Sequence, residues 1–272
     1  MLKLNAIQLD KIWGYEQWIA STHENGLQQE LLDAMGGNYP LLVKIIQANE
    51  NLSIQVHPDD DSAKLLEGND AVGKTECWYV LDALPDASLV YGLKKQYTKE
   101  QIKDAILNNT LEDFLNIVPV SKGDFIFIPA GTVHAIGKGL RLLEIQQSCD
   151  TTYRLYDWGR DRELHVEKGI AVIKNDKIKP IEKFSKEFSC QYFTLEEINV
   201  KGGWGMFVSG EKIPSNWQML FILEGSGKLK DCKTNQLFDL EKEQIYAIAP
   251  SDKITIEGNV RFIRIKCGQD EE

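Results

Sequence analysis

The sequence predicts a mainly β protein: two jelly-roll β-barrels with a small helical insertion. Three observations predict it. First, strand-length apolar runs are bounded by turn residues. Asp124-Phe-Ile-Phe-Ile128 is closed by Pro129-Ala-Gly131, because proline donates no backbone N–H and glycine permits a tight turn, so the next strand starts at His134. Second, the pair CWYVLDA (77–83) and FIFIPAG (125–131) is echoed by LFILEGSG (220–227) and IYAIAPS (245–251) at similar separation, as in a degenerate repeat of one barrel. Third, Lys174–Lys186 is charge-rich and apolar-poor, a natural boundary that puts one barrel in 1–173 and a linker with the second in 174–272.

Taken in order, Leu4–Ala20 reads as one or two strands around Gly14. The turn 21–26 contains His23, a solvated residue on this reading, and leads into a short helix over Leu27–Met35, ended by Gly36-Gly37. Tyr39–Ala48 and Leu52–Val56 read as strands either side of Asn49-Glu-Asn51. Asp59, Asp60 and Asp61 can cap a helix over SAKLLE that stops at Gly68. A strand follows from Glu76. Thr98–Asn108 and Leu111–Ile117 read as helices, with Thr98 and Gln101 spaced for a capping box, and form the insertion around 98–117. Asp124–Ile128 and Gly139–Gln147 are strands, and His165–Ile173 is a short helix. Beyond the linker, Gln218–Glu224, Lys228–Lys230, Gln244–Pro250 and Val260–Ile265 are β-like, with Gly225-Ser-Gly227 as a break.

Polar residues sit at chosen places in these strands. Ser53, Gln55 and His57 are two apart, so a strand puts all three on one face, with Ile54 and Val56 on the other. Glu76, Trp78 and Val80 likewise share a face. A lone histidine is more often packed than ligating, and a glutamate opening a strand is more often edge decoration. Together, however, Gln55, His57, Glu76 and His134 make a donor set of two imidazoles, a carboxylate and a neutral amide. That set leaves a divalent ion net positive charge and room for substrate oxygens, as in catalytic sites, with zinc the first expectation and other divalent metals open. Lys44 is a charge inside an apolar strand, a place alternation alone assigns equally to solvent or to a site. No histidine follows His165, so the second barrel lacks the imidazoles of the first and reads as structural or as a lid.

The spacing Gly123, Pro129, Gly131, His134 resembles the second motif of the cupin barrels, with Lys138 where an asparagine is usual. KIWG (11–14), LSIQVHPDD (52–60), GKTECWYVLDA (73–83), GDFIFIPAGTVHAIG (123–137), LLEIQQSCDTTYRLYDWGR (142–160) and LHVEK (164–168) together resemble the short bacterial form of the type I mannose-6-phosphate isomerases. The likeness implies two cupin barrels, with Gln55, His57, Glu76 and His134 as ligands of one zinc ion per chain. It also implies that Ser53, Lys44, Lys74, Glu144, Asp150 and Arg154 line the pocket. Longer relatives carry His-Lys-Pro-Glu where this chain has Gly73-Lys-Thr-Glu76, so no role of that histidine transfers. Ser148-Cys149-Asp150 stands near the family's Ser-Asp-Asn.

The implied reaction interconverts mannose 6-phosphate and fructose 6-phosphate by moving a proton between adjacent carbons through a cis-enediolate. Glu144 and Asp150 are the candidate bases. Arg154, always charged, suits the enediolate or the phosphate. Lys74, two residues from a ligand, suits acid/base work in ring opening; Lys44 is left for the phosphate, and Ser53 joins it as substrate-binding. The alternative is a cupin that binds a sugar or sugar phosphate without turning it over, since fold does not dictate function. An iron oxygenase would use two histidines and one carboxylate, but Gln55 and the cationic neighbours fit it poorly.

Composition agrees with a globular protein: 272 residues, 43% hydrophobic and 26% charged. A net charge of −10 argues against nucleic acid as a partner, which needs a basic face, but not against a small anion in one cleft. The first residues lack the apolar core of a signal peptide, and no run has the length of a membrane helix, so the expectation is a cytoplasmic chain with a sugar phosphate as partner and no membrane. Monomer and homodimer both stay open. Five scattered cysteines without any CxxC read as reduced thiols.

Overall fold

The computed structural model describes residues 1–174 and 178–268. The chain is mainly β, as the sequence predicts, with its strands in three antiparallel sheets. It divides into two compact units, and neither is one continuous stretch. One takes Gln8–Gln17 and Lys44–Phe184; the other takes Met1–Ile7, Trp18–Val43 and the residues from Ser185 onward.

In the unit containing Lys44–Phe184, a five-stranded sheet runs Tyr153–Tyr156, Ile54–Val56, His134–Ile136, Ser88–Leu93, Leu115–Pro119. A second sheet orders Glu182–Lys183, Asp124–Ile128, Glu76–Ala83 and Leu140–Gln147 next to one another, followed by the parts of strands Leu41–Ala48 and Gly14–Ala20 that belong to this unit, from Lys44 onward and up to Gln17. Trp78, Val80, Ile126, Ile128 and Leu142 from this sheet share one buried cluster with Leu89, Tyr91 and Ile136 from the five-stranded one. Each such side chain contributes about 1.5–3 kcal/mol by leaving water. The register sets Leu142 opposite Val80, Glu144 opposite Trp78 and Gln146 opposite Glu76. The face that is apolar at Leu142 and Val80 therefore turns polar two and four residues further on. One end of this interior is packed core and the other carries the buried polar groups Glu76, Glu144 and Gln146.

The helices sit where their caps put them. Asp59 accepts from Ser62 N to start Asp60–Glu67, and Gly68 ends it. Thr98 and Gln101 form both bonds of a capping box at the start of Lys99–Leu107. The second helix expected over 111–117 is instead one 3-10 turn, Leu111–Phe114, followed by the edge strand Leu115–Pro119. The run Ile117-Val118-Pro119 explains it: β-branched residues fit a strand, and proline is tolerated at a sheet edge. Part of the expected linker is also a strand, Glu182–Lys183, paired with Asp124 and Phe125.

In the other unit, one sheet runs Leu2–Leu4, Ile245–Ile248, Gln218–Asp231, Lys253–Cys267, Phe193–Phe207, Glu187–Ser189, with Leu237–Leu240 added on Gln218–Asp231. Its core includes Leu220, Ile222, Leu229, Ile256 and Phe262. Gly225-Ser-Gly227 does not break the strand, as its composition suggests, but lies inside it beside a register shift between Ile222 and Glu224. Gly225 has φ of +91°, and a Cβ there would come within 2.1 Å of the Asn259 carbonyl oxygen, so only glycine lets the partner strand approach. Among the described residues no helix is long and apolar enough to cross a membrane.

Candidate metal centre

His57, Glu76 and His134 come from three different segments, and their ligating atoms lie within 4.8 Å of one another in a fully buried group. His134 opens its strand directly opposite Gln55, and the Gln55 amide nitrogen is 3.3 Å from His134 Nε2. A half-turn about the last side-chain bond would present the Gln55 oxygen instead. The imidazoles are held from behind. His57 Nδ1 is 2.9 Å from the Thr151 carbonyl, and His134 Nδ1 is 2.9 Å from the Thr132 carbonyl. A carbonyl only accepts, so both Nδ1 atoms carry the proton and both Nε2 atoms are acceptors, His57 Nε2 toward the Lys74 ammonium and His134 Nε2 toward the Gln55 amide. Both Nε2 atoms also lie near Glu76: His134 Nε2 is 3.3 Å from Oε1 and His57 Nε2 is 3.7 Å from Oε2.

The electrostatics fit a cation. Glu76 is fully buried; its Oε2 has the Lys74 ammonium at 3.2 Å as charge partner, while Oε1 is left without a hydrogen-bond donor, an arrangement that is costly unless a positive charge satisfies it. Burial, then the nearby Glu144 charge, pushes the Glu76 carboxyl up to about 7, with Lys74 and Lys44 opposing. Burial, then Lys74, pushes His134 down to about 4 against the bond to Thr132, and burial, then Lys74 and His134, holds His57 well below its ordinary value. Neutral imidazoles, a buried carboxylate and an adjacent amide are a donor set that suits zinc or a similar divalent ion. Lys74 adds a positive charge to the group, with Nζ 3.2 Å from both Glu76 Oε2 and His57 Nε2.

A second charged row crosses the same sheet. Lys44 is buried, with Nζ 3.1 Å from Glu144 Oε1 and 3.9 Å from Glu16 Oε2. Burial alone would lower the Lys44 pKa; Glu16, then Glu144 and Glu76, outweigh it and raise it. Glu144 Oε2 accepts from the Trp78 indole N–H at 2.8 Å, and the Trp78 ring meets His134 edge-on at 5.4 Å between centroids.

Comparison with known proteins bears on this geometry. The family description "Phosphomannose isomerase type I, catalytic domain" matches residues 3–79. Mannose-6-phosphate isomerase from Bacillus subtilis is 39% identical over 210 residues, 71% of this chain and 64% of that protein. A crystal structure of mannose 6-phosphate isomerase from Bacillus subtilis matches with a TM-score of 0.83 over 97% of this chain and 98% of that one, at 27% identity. The chain is thus similar in sequence and fold to the type I phosphomannose isomerases. The mannose-6-phosphate isomerase of Streptococcus mutans is 41% identical over 184 residues, 58% of this chain and 57% of that protein. The chain thus spans less than two thirds of the length of these curated relatives. The likeness to a solved phosphomannose isomerase agrees with the cupin fold class read from the sequence.

Arg154, Ser53 and Asp150 are also singled out in the sequence. Arg154 pairs with Gln55 in register, so Arg154, Gln55 and His134 form a row across three strands. Its guanidinium donates to the Glu163 carbonyl at 2.7 Å. Ser53 is buried, and Asp150 lies exposed in the turn that precedes Tyr153–Tyr156. Sequence reasoning missed Glu16, for which KIWGYEQW carries no signal, and the partnership of Trp78 with Glu144, although Trp78 was already on the face of Glu76. It also missed the carbonyls of Thr132 and Thr151, because a backbone acceptor leaves no mark on residue type.

Proposed function

We propose that the chain is a metal-dependent aldose–ketose isomerase that interconverts mannose 6-phosphate and fructose 6-phosphate. The observation that carries this reading is the convergence of two backbone-tethered imidazole Nε2 atoms on the fully buried carboxylate of Glu76. Gln55, His57, Glu76 and His134 would hold the ion, zinc by the chemistry of the donors. When bound, a divalent cation polarises a carbonyl and stabilises the negative charge that develops on it.

The chain's own residues do the rest. Isomerisation takes the proton from the carbon next to the carbonyl and returns it to the former carbonyl carbon through a cis-enediolate, so it needs a base fixed in place. Glu144 suits that task because Trp78 and Lys44 each hold one of its oxygens, which limits its rotation. Asp150, exposed in the turn before Tyr153–Tyr156, is the second candidate. Arg154, aligned with Gln55, suits the enediolate or phosphate charge, and Ser53 and Lys44 the remaining substrate contacts. Lys74, beside His57 and Glu76, suits proton transfer to the ring oxygen when the sugar opens.

The test is turnover of mannose 6-phosphate in D2O, with metal content measured on the same sample. Incorporation of deuterium at the carbons that exchange the proton, lost on chelation and restored by zinc, is the expected result. Tight sugar-phosphate binding without incorporation would identify a binding protein instead.

A further inference from the structure

Gln146 is the one polar member of the inward row that this chemistry leaves unused. It stands opposite Glu76 in register and is completely buried. Its side-chain amide donates to the carbonyl of Gln147 at 3.0 Å and to the carbonyl of Cys149. An NH2 group has two hydrogens, so both are committed. The two acceptors bracket the start of the turn that leaves strand Leu140–Gln147, and Cys149 N donates to Gln147 O at 2.7 Å within it. Further along, Thr151 N donates to Cys149 Sγ at 3.3 Å, and the Thr151 carbonyl is the one that faces His57 Nδ1. Gln147 closes the same turn from outside: its Oε1 accepts from Thr75 N at 2.9 Å, and its Nε2 donates to Asp60 Oδ1 at 3.0 Å.

We propose that Gln146 is a positioning residue for the metal centre: by tying the Gln147 and Cys149 carbonyls it presents the Thr151 carbonyl to His57 Nδ1 and keeps His57 Nε2 turned toward Glu76. The proposal deepens the metal-centre reading and rests on it for its consequence, while its geometry stands without the metal. Groups that orient a ligating histidine from behind set metal affinity nearly as strongly as the ligand itself. The molecule contains its own control. His134 is oriented by Thr132, whose N–H donates to Pro129 O at 3.1 Å in a separate turn.

The experiment reads the imidazole nitrogens by NMR in the metal-free protein, wild type against Gln146→Met, which keeps the length of the side chain and removes both donors. Expected is loss or at least tenfold faster exchange of the His57 Nδ1 proton, with the His134 Nδ1 proton unchanged. Zinc affinity, read by competition with a chromophoric chelator, should fall by about 10- to 100-fold with helix and strand content intact. If the two histidines respond alike, or neither responds, Gln146 does not act through Thr151. A readout needing no variant is slow exchange of the Gln146 side-chain amide protons in the wild-type protein, and fast exchange there overturns the tie even if Gln146→Met fails to fold. Wild-type protein that binds no zinc would overturn the metal-centre reading alone, because the proton signals still decide the tie.

Discussion

Trp78 donates its indole N–H to Glu144 Oε2 at 2.8 Å, across two neighbouring strands whose register sets the two residues face to face. A large apolar side chain thereby carries its only donor to a buried carboxylate, and the same ring closes one side of His134. Core and site share a residue.

Trp78→Phe keeps most of the apolar volume and deletes that donor. A buried carboxylate oxygen that loses a partner costs about 1–3 kcal/mol, so urea unfolding should shift by that amount. Freed to rotate, Glu144 should lose kcat on mannose 6-phosphate with little change in KM. Equal loss in both would point to a general disturbance of the pocket.

Lys44→Met leaves Glu144 and Glu16 facing each other without the ammonium between them. Breaking a buried pair from one side costs about 3–5 kcal/mol, because the remaining charge is stranded. Adding Glu144→Gln to Lys44→Met should recover part of that loss. Equilibrium denaturation of both variants checks this, and a neutral Lys44→Met would show that the ammonium is not paired in solution.

His134→Ala and Arg154→Ala should separate. The first removes one of the proposed ligating nitrogens, so metal content and turnover should fall together. The second leaves the four donors in place and should keep metal while kcat/KM drops by about 100-fold, the scale of a lost transition-state charge contact. Metal analysis beside kinetics distinguishes them, and unchanged kcat/KM in Arg154→Ala would remove it from the pocket.

Alkaline pH should destabilise the unit that contains Tyr39 and Cys267. Burial pushes the Cys267 thiol up to about 12, and raises Tyr39 well above its ordinary value, with Cys267 raising it further. A folded pKa above the unfolded one means stability is fully present below the unfolded value, near 9 for the thiol, and is lost as pH rises toward 12. The denaturation midpoint should therefore fall from pH 8 to pH 10, and Cys267→Ala should flatten the slope. An equally steep slope in that variant would assign the effect elsewhere.

Much of the fold was legible because its signals are local. The Pro129–Gly131 break, the Thr98–Gln101 box and the Gly36 stop each act through neighbouring backbone, and each lies where the sequence places it. Two misplacements had local causes that composition cannot weigh: Leu115–Pro119 pairs with Ser88–Leu93 instead of extending a helix, and Gly225 admits a close strand rather than ending its own. That His57, Glu76 and His134 come together beside Gln55 was readable from residue type and spacing. Glu16, Gln146 and the Thr151 carbonyl were not, because their meaning depends on contacts between distant parts of the chain.

Glu76 lies on one sheet, while His134 and Gln55 lie on the other. An ion gripped by all of them would act as a rivet through the two layers, so neither layer could peel away without first releasing it. Heating the loaded protein should then melt both layers in one step at a temperature set by free metal, and thermal history would report on occupancy as directly as catalysis does.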